Sequence, residues 1–238
     1  MKEAKRRLDE ELWTEVRANQ AYEDYRARGR MKDGRRFGRP PDPYRPPDTP
    51  EGRVNVTDPD SRVVKGLRGW MQGYNGQAVV NEQQVILAAE VETVGADFGH
   101  LEPMLNAAQS ELAAAGVTDT PEVLLADAGY WHGEQMERIV DRGIQVLIPP
   151  DTSRRRTTRR NWDGGHYDFM RRVLATDRGG GLYRRRQPMV EPVFAQMKFN
   201  RGLDRFRRRG RGAVRAEWRL ITATHNLLKL HRHALTAA

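Results

Sequence analysis

The sequence predicts an α/β domain over residues 53–238, preceded by a charged helix over residues 1–28 and a proline-rich linker over residues 29–52. Three observations predict it. Between Gly73 and Pro150, short apolar runs alternate with apolar positions recurring at three- and four-residue steps. The order is strand, strand, helix, strand, helix, strand, which makes a mixed sheet flanked by helices. Prolines 40, 41, 43, 46, 47 and 50 crowd one segment that can form neither helix nor central strand, and so reads as extended. Lys and Arg number 41 against 32 acids, a net charge of +9, with the excess after Asp151.

The first helix places Ala4, Leu8, Leu12 and Val16 four apart with Trp13 beside them. A stripe so thin must dock on something to be stable. Tyr74–Val80 and Gln84–Thr93 have strand composition and are separated by Asn81-Glu82-Gln83, a hairpin pattern. The second run is almost continuously apolar at its middle, which predicts a central strand covered on both faces. Leu101, Met104, Leu105, Ala108, Leu112 and Ala115 mark a helix ending at Gly116. Glu122–Ala126 reads as a short buried strand, Gly133–Arg142 as a helix closed by Gly143, and Ile144–Ile148 as a strand stopped by two prolines. Gly179-Gly180-Gly181 reads as a flexible joint. A helix is expected to start near Pro188, with Val190, Val193, Phe194 and Met197 inward and Glu191, Ala195 and Lys198 on a neighbouring face. The last helix carries Val214, Trp218, Ile221, His225 and Leu228 as a packing seam.

The charge balance points to a polyanion, because each cation that neutralises a phosphate releases a condensed counterion. Two basic runs stand out: Arg154, Arg155, Arg156, Arg159 and Arg160 in a polar loop, and Arg201, Arg205, Arg207, Arg208, Arg209, Arg211 and Arg215 among glycines. Without cysteine, disulfides and thiolate metal sites are excluded. No apolar run approaches the ~20 residues that span a bilayer, and no signal-peptide core is present, so no membrane partner and a cytoplasmic, nucleoid-associated protein are expected.

Asp127 closes a buried strand, where open α/β sheets place ligands, and Ala128-Gly129 allow a sharp turn after it. There it either binds a hard divalent cation or caps the turn through backbone N–H groups. Glu191 is either an ordinary solvated glutamate or, with Asp127, part of a carboxylate set for metal-assisted phosphoryl displacement. His132 and His225 read as a polar surface residue and a packing residue.

Leu124-Leu-Ala-Asp-Ala-Gly-Tyr130 resembles the second-aspartate motif of insertion-sequence DDE transposases of the IS4-like type, and Tyr183–Lys198 resembles their Tyr-Arg-Glu-Lys signature. Thr57–Arg62, Gly73–Gln77, Asn200–Leu203 and His225–Leu230 follow that family in the same order. One departure is that four residues rather than three separate Arg186 from Glu191. The resemblance implies an RNase H-like domain that cuts and joins DNA with Mg²⁺ or Mn²⁺. Asp127 and Glu191 would be the second and third metal-binding acids. Lys198 and Arg186 would contact phosphates and Tyr183 would brace the DNA end, with Arg154, Arg155, Arg156, Arg159, Arg160, Arg201, Arg207, Arg208 and Arg209 adding DNA contacts.

The family's first aspartate lies on a first strand ahead of the hairpin, and this chain has no such strand. Asp33-Gly34 sits in a basic linker, and Asp58 and Asp60 fall in a motif that forms turns. The expectation is therefore a truncated domain with its first strand missing, either inactive or completed by an upstream-encoded half or by self-association. The alternatives are a non-catalytic basic DNA-binding remnant and a regulator of intact transposase. Insertion-sequence ends and target DNA are the expected partners.

Overall fold

A computed structural model describes residues 2–13, 17, 31–32, 35–36, 54–66, 69–151 and 162–237. The chain forms two compact units, Met1–Arg62 and Val63–Ala238.

In the first unit, residues 2–13 form helix α1. Its stripe is partly used: Ala4 is buried, Leu8 and Leu12 are half-buried, and Trp13 is exposed. Polar contacts do the docking. Arg7 donates to the Pro59 carbonyl at 3.1 Å and pairs with Asp60 at 2.5 Å, and Arg62 pairs with Glu11 at 2.8 Å. The Asp58 carbonyl accepts from the Ser61 N–H at 3.0 Å and from Ser61 Oγ at 2.8 Å. Residues 58–61 thus form a turn against α1. Within the segment read as a linker, β1 (Met31–Lys32) pairs antiparallel with β2 (Arg35–Arg36). Asp-Gly between two strands is a favoured hairpin dipeptide, a local signal that the basic composition obscured. The proline cluster lies outside the described residues.

In the second unit, β3 (Arg62–Gly66) pairs with β4 (Gly69–Gly73), two short strands that the sequence pattern did not announce. β5 (Asn75–Val80) and β6 (Ile86–Glu92) form the expected antiparallel hairpin, in register from Asn75↔Glu92 to Val79↔Ala88, with a bulge after Val79. Asn81 organises the turn, its Oδ1 accepting from Gln83 N at 3.1 Å and Val85 N at 2.9 Å. Both faces of β6 are covered, as its apolar run predicts. Ala88 packs on Met104 and Ala108 of α2 (Leu101–Ala114), and Ala89 and Val91 pack with Val214, Trp218 and Ile221 of α7 (Arg211–Ala237). The ladder differs from expectation, because among the described residues β6 pairs only with β5. At Ile86 a side chain stands in for a strand. Asn226 Oδ1 accepts from the Ile86 N–H at 2.9 Å and its Nδ2 donates to the Ile86 carbonyl at 2.8 Å.

β7 (Val123–Leu125) and β8 (Gln145–Leu147) pair in parallel, joined through α3 (Gly133–Asp141). Leu101, Leu105, Ile139, Ile144 and Ile148 fill the core beneath them. Two helices follow, α4 (Gly165–Ala175) and α5 (Asp177–Arg184). The three glycines are a first helical turn and not a joint. Thr176 Oγ1 caps the turn by accepting from Gly179 N at 3.0 Å, and a Cβ at Gly180 would stand 2.8 Å from the Leu174 carbonyl oxygen. The α4–α5 corner is tight enough to require residues without side chains.

α6 (Arg186–Ala195) continues into a wider π turn, Gln196–Asn200. Pro188 sits in its first turn as expected, but Pro192 is inside the helix and has no N–H for the Pro188 carbonyl. Gln84 replaces that lost bond, its Nε2 donating to Pro188 O at 2.9 Å. The same residue, at φ 62°, offers its carbonyl to His225 Nε2 at 3.0 Å and its Oε1 to Lys229 Nζ at 2.9 Å. Gln84 therefore ties the hairpin turn to α6 and α7. His225 is a buried packing residue, and burial lowers its pKa from the usual 6.5.

Candidate acidic cleft and nucleic-acid interface

A cleft of about 750 Å³ opens between β5 and β7. Leu101, Met104 and Leu105 of α2 line it, as do Met189, Val190 and Phe194 of α6. Asp97 and Asp127 stand on its wall, and both carboxylates close on Gly129. A Cβ at that glycine would lie 3.0 Å from Asp127 Oδ1 and 3.1 Å from Asp97 Oδ2. Asp127 follows β7 directly, as the sequence placed it, and Oδ1 accepts from Gly129 N at 2.9 Å. The turn-capping role is thus realised through one carboxylate oxygen.

Asp97 has no counterpart in the sequence reading. It is fixed from β5, where Asn75 Nδ2 donates to its Oδ1 at 2.9 Å and Gln77 Nε2 donates at 2.7 Å. Gln77 is almost fully buried, its Oε1 accepts from the Tyr130 hydroxyl, and its carbonyl accepts from Trp218 Nε1 at 2.8 Å. Burial, reinforced by Asp97 and Asp127, raises the Tyr130 pKa and holds the phenol protonated as a donor. No motif marks Asp97, since it lies in a loop and meets Asp127 only through folding. Its one signal was polar: Asn75 and Gln77 are amides within a strand.

The signature residues divide into two groups. Tyr183 is half-buried on α5, and the Arg186 guanidinium lies 5.7 Å from its ring centroid. Burial raises the Tyr183 pKa, with Arg186 lowering it and the Asp127 charge raising it. Arg186 Nε is buried without a partner among the described residues. Glu191 is exposed one turn along α6, where it accepts from Gln187 Nε2 at 3.1 Å, and it does not line the cleft. Lys198 is exposed on the π turn, its Nζ 5.3 Å from the Phe194 ring centroid.

Asp97 and Asp127 are oxygen donors of the type a hard divalent ion takes. The fit stops there, because among the described residues no three His, Cys, Asp or Glu side chains converge on one metal position. A two-ion site is not assembled from these residues.

The second basic run resolves into two kinds of arginine. Arg211 pairs with Glu92 at 3.0 Å, Arg215 with Glu90 at 2.5 Å, and Arg219 with Glu90 at 2.7 Å, fastening α7 to β6. Hydrogen bonding to Arg215 is the chief reason the Glu90 pKa is lowered. Arg201 likewise turns inward, donating to Ile221 O at 3.2 Å and Thr224 Oγ1 at 2.6 Å. Arg207, Arg208 and Arg209 are exposed. Their loop is held by its backbone, since the Arg207 and Arg208 N–H groups donate to the Glu217 carboxylate at 3.0 and 2.9 Å. A carboxylate spent on backbone leaves the guanidinium groups for solvent or a polyanion. Arg154, Arg155, Arg156, Arg159 and Arg160 lie outside the described residues.

Residues 149–231 match the family model of the transposase DDE domain. The match contains Tyr183, Arg186, Glu191, Lys198 and the Arg207–Arg209 loop, and Asp127 lies outside it. No curated protein and no solved structure matches the chain. The transposase match supports a transposase-type function with DNA as the substrate. Among the described residues no helix is long and apolar enough to cross a membrane.

Proposed function

We propose that this chain is an insertion-sequence transposase domain of the IS4-like type, RNase H-like in architecture, that engages transposon-end and target DNA for strand cleavage and transfer. The observation that carries the reading is the transposase DDE match over the elements that present Glu191, Lys198 and Arg207–Arg209. Lys198 and the three loop arginines would take phosphates, while Arg186, held against Tyr183, would steady a DNA end beside the cleft. The family resemblance assigns Asp127 and Glu191 to Mg²⁺ or Mn²⁺, whereas here Asp127 lines the cleft and Glu191 does not. A second copy or a separately encoded transposase half would be the protein partners.

One observation favours a second reading, a non-catalytic DNA-binding domain: no third carboxylate joins Asp97 and Asp127 among the described residues. Both readings share the DNA interface. Duplex affinity followed by fluorescence anisotropy across a salt series tests that interface. Log K falls by about 0.9 per phosphate neutralised, so alanine at Arg207, Arg208 and Arg209 together is expected to flatten the salt slope by up to about 2.7. Arg211→Ala should leave the slope nearly unchanged, because that residue pairs with Glu92. An unaltered slope in the triple variant contradicts the assignment.

A further inference from the structure

Helix α7 carries two apolar seams on opposite sides. Val214, Trp218, Ile221 and His225 are buried on the side of the β5–β6 hairpin, and Leu228 is half-buried. Two residues after each of these stand Ala216, Leu220, Ala223, Leu227 and Leu230, and two residues turn a helix by about 200°. The second seam, which continues to Ala234, therefore faces away from the core, and all six of its residues are exposed. Leu220, Leu227 and Leu230 keep 66%, 63% and 64% of their surface open. Scattered exposed leucines are ordinary on a protein surface. Six apolar residues in unbroken steps of four and three are not scattered, and this is the pattern by which one helix packs along another. Helices that select a foreign partner mark the flanks of such a seam with charges. Along the middle of this one the flanks are Arg219, Thr224 and Asn226. Arg219 is already paired with Glu90 at 2.7 Å and Glu111 at 3.0 Å, and the other two are uncharged.

We propose that this seam pairs with the same seam of a second copy, antiparallel, about a twofold axis at the level of His225. The seam reads nearly alike in both directions. Its steps are four, three, four, three and four, so a twofold axis there sets Ala216 against Ala234, Leu220 against Leu230 and Ala223 against Leu227. Alanine facing leucine on either side of the axis lets the two helices approach closely, and the leucine pairs close over that contact from both ends. The flanks bring no like-charge conflict, because Arg219 is neutralised within its own copy. Three leucines about two-thirds exposed and three exposed alanines offer roughly 500 Å² per copy, so the pair would bury about 1,000 Å², the lower bound for a specific interface. Such a dimer forms reversibly. The proposal takes from the transposase reading only the second copy as a partner, and its test reads association without DNA, so the two fail separately.

Sedimentation equilibrium of the full chain, without DNA or metal ion, from about one to several hundred micromolar is the test. A reversible monomer–dimer equilibrium with a Kd on the order of ten micromolar is expected. Leu227→Lys should raise the Kd at least tenfold and leave thermal unfolding of the dilute chain unchanged, since the side chain it replaces is exposed. Leu235→Lys should not alter the Kd, because Leu235 is 66% exposed but lies off the seam. The chain has no cysteine, so Leu220→Cys and Leu230→Cys report the orientation. Oxidised as a mixture, the two variants should give the mixed disulfide dimer in preference to either homodimer. A monomer at every concentration overturns the proposal and leaves the DNA-affinity and nicking results of the transposase reading untouched. Equal weakening by Leu235→Lys overturns it by removing the seam, and homodimers as the main disulfide product overturn the antiparallel pairing.

Discussion

Alanine at Trp218 is expected to cost about 3–5 kcal/mol of stability, the range for removing a large buried aromatic side chain. The indole is 6% exposed and sits where several elements meet. It stacks on Phe194 of α6 with centroids 6.1 Å apart and receives Phe206 edge-on at 6.0 Å. Its Nε1 donates to the Gln77 carbonyl at 2.8 Å, and Gly76 lies close enough that a Cβ there would stand 3.4 Å from the ring. The substitution opens a cavity between sheet and helix and also loses a buried hydrogen bond. Because Gln77 in turn holds Asp97 and Tyr130, the damage should reach the acidic cleft. Urea unfolding of Trp218→Ala beside Phe199→Ala, whose ring is 76% exposed, is the comparison. A loss below about 1 kcal/mol at Trp218 would mean that the sheet and α7 are not packed as described.

Gly179→Ala is expected to destabilise by about 1–3 kcal/mol, although alanine ordinarily favours helices. A methyl group there would overlap the Val173 carbonyl oxygen and crowd Thr176 Oγ1. The neighbour is backbone at the end of α4, so relief requires the two helices to separate. Gly181→Ala, in the same turn, meets nothing within 4 Å and should be neutral or stabilising. Thermal unfolding of the two variants gives opposite signs if the α4–α5 corner is as tight as the structure has it. Equal shifts would restore the view of the triplet as a loose joint.

The contrast between Gly179 and Gly181 illustrates what the sequence could and could not convey. Apolar periodicity revealed the β5–β6 hairpin, α2, α3 and α7, because each buries a continuous face. It missed α4, where Met170 alone is buried. It took three glycines for flexibility, since the close approach of Val173 is a tertiary fact. Local chemistry located Asp127 at a strand end, while Asp97 reaches the same glycine from a loop thirty residues earlier in the chain. The basic run after Asn200 read as one electrostatic feature. Only the positions of Glu90, Glu92 and Glu217 separate the arginines that fasten α7 from those that face outward. Pro192 within α6 shows the same dependence, since its missing hydrogen bond is replaced by Gln84 from the hairpin turn.

The most direct measurement of the proposed activity is nicking of supercoiled plasmid by the purified chain at low salt, with Mg²⁺ or Mn²⁺ and with chelator. Asp127→Asn and Glu191→Gln would be run beside it. The expected result is metal-dependent nicking that each substitution abolishes while duplex binding is retained. Intact plasmid throughout, with salt-sensitive DNA binding preserved, would contradict the catalytic account and leave the Arg207–Arg209 loop as part of a DNA-binding domain without chemistry.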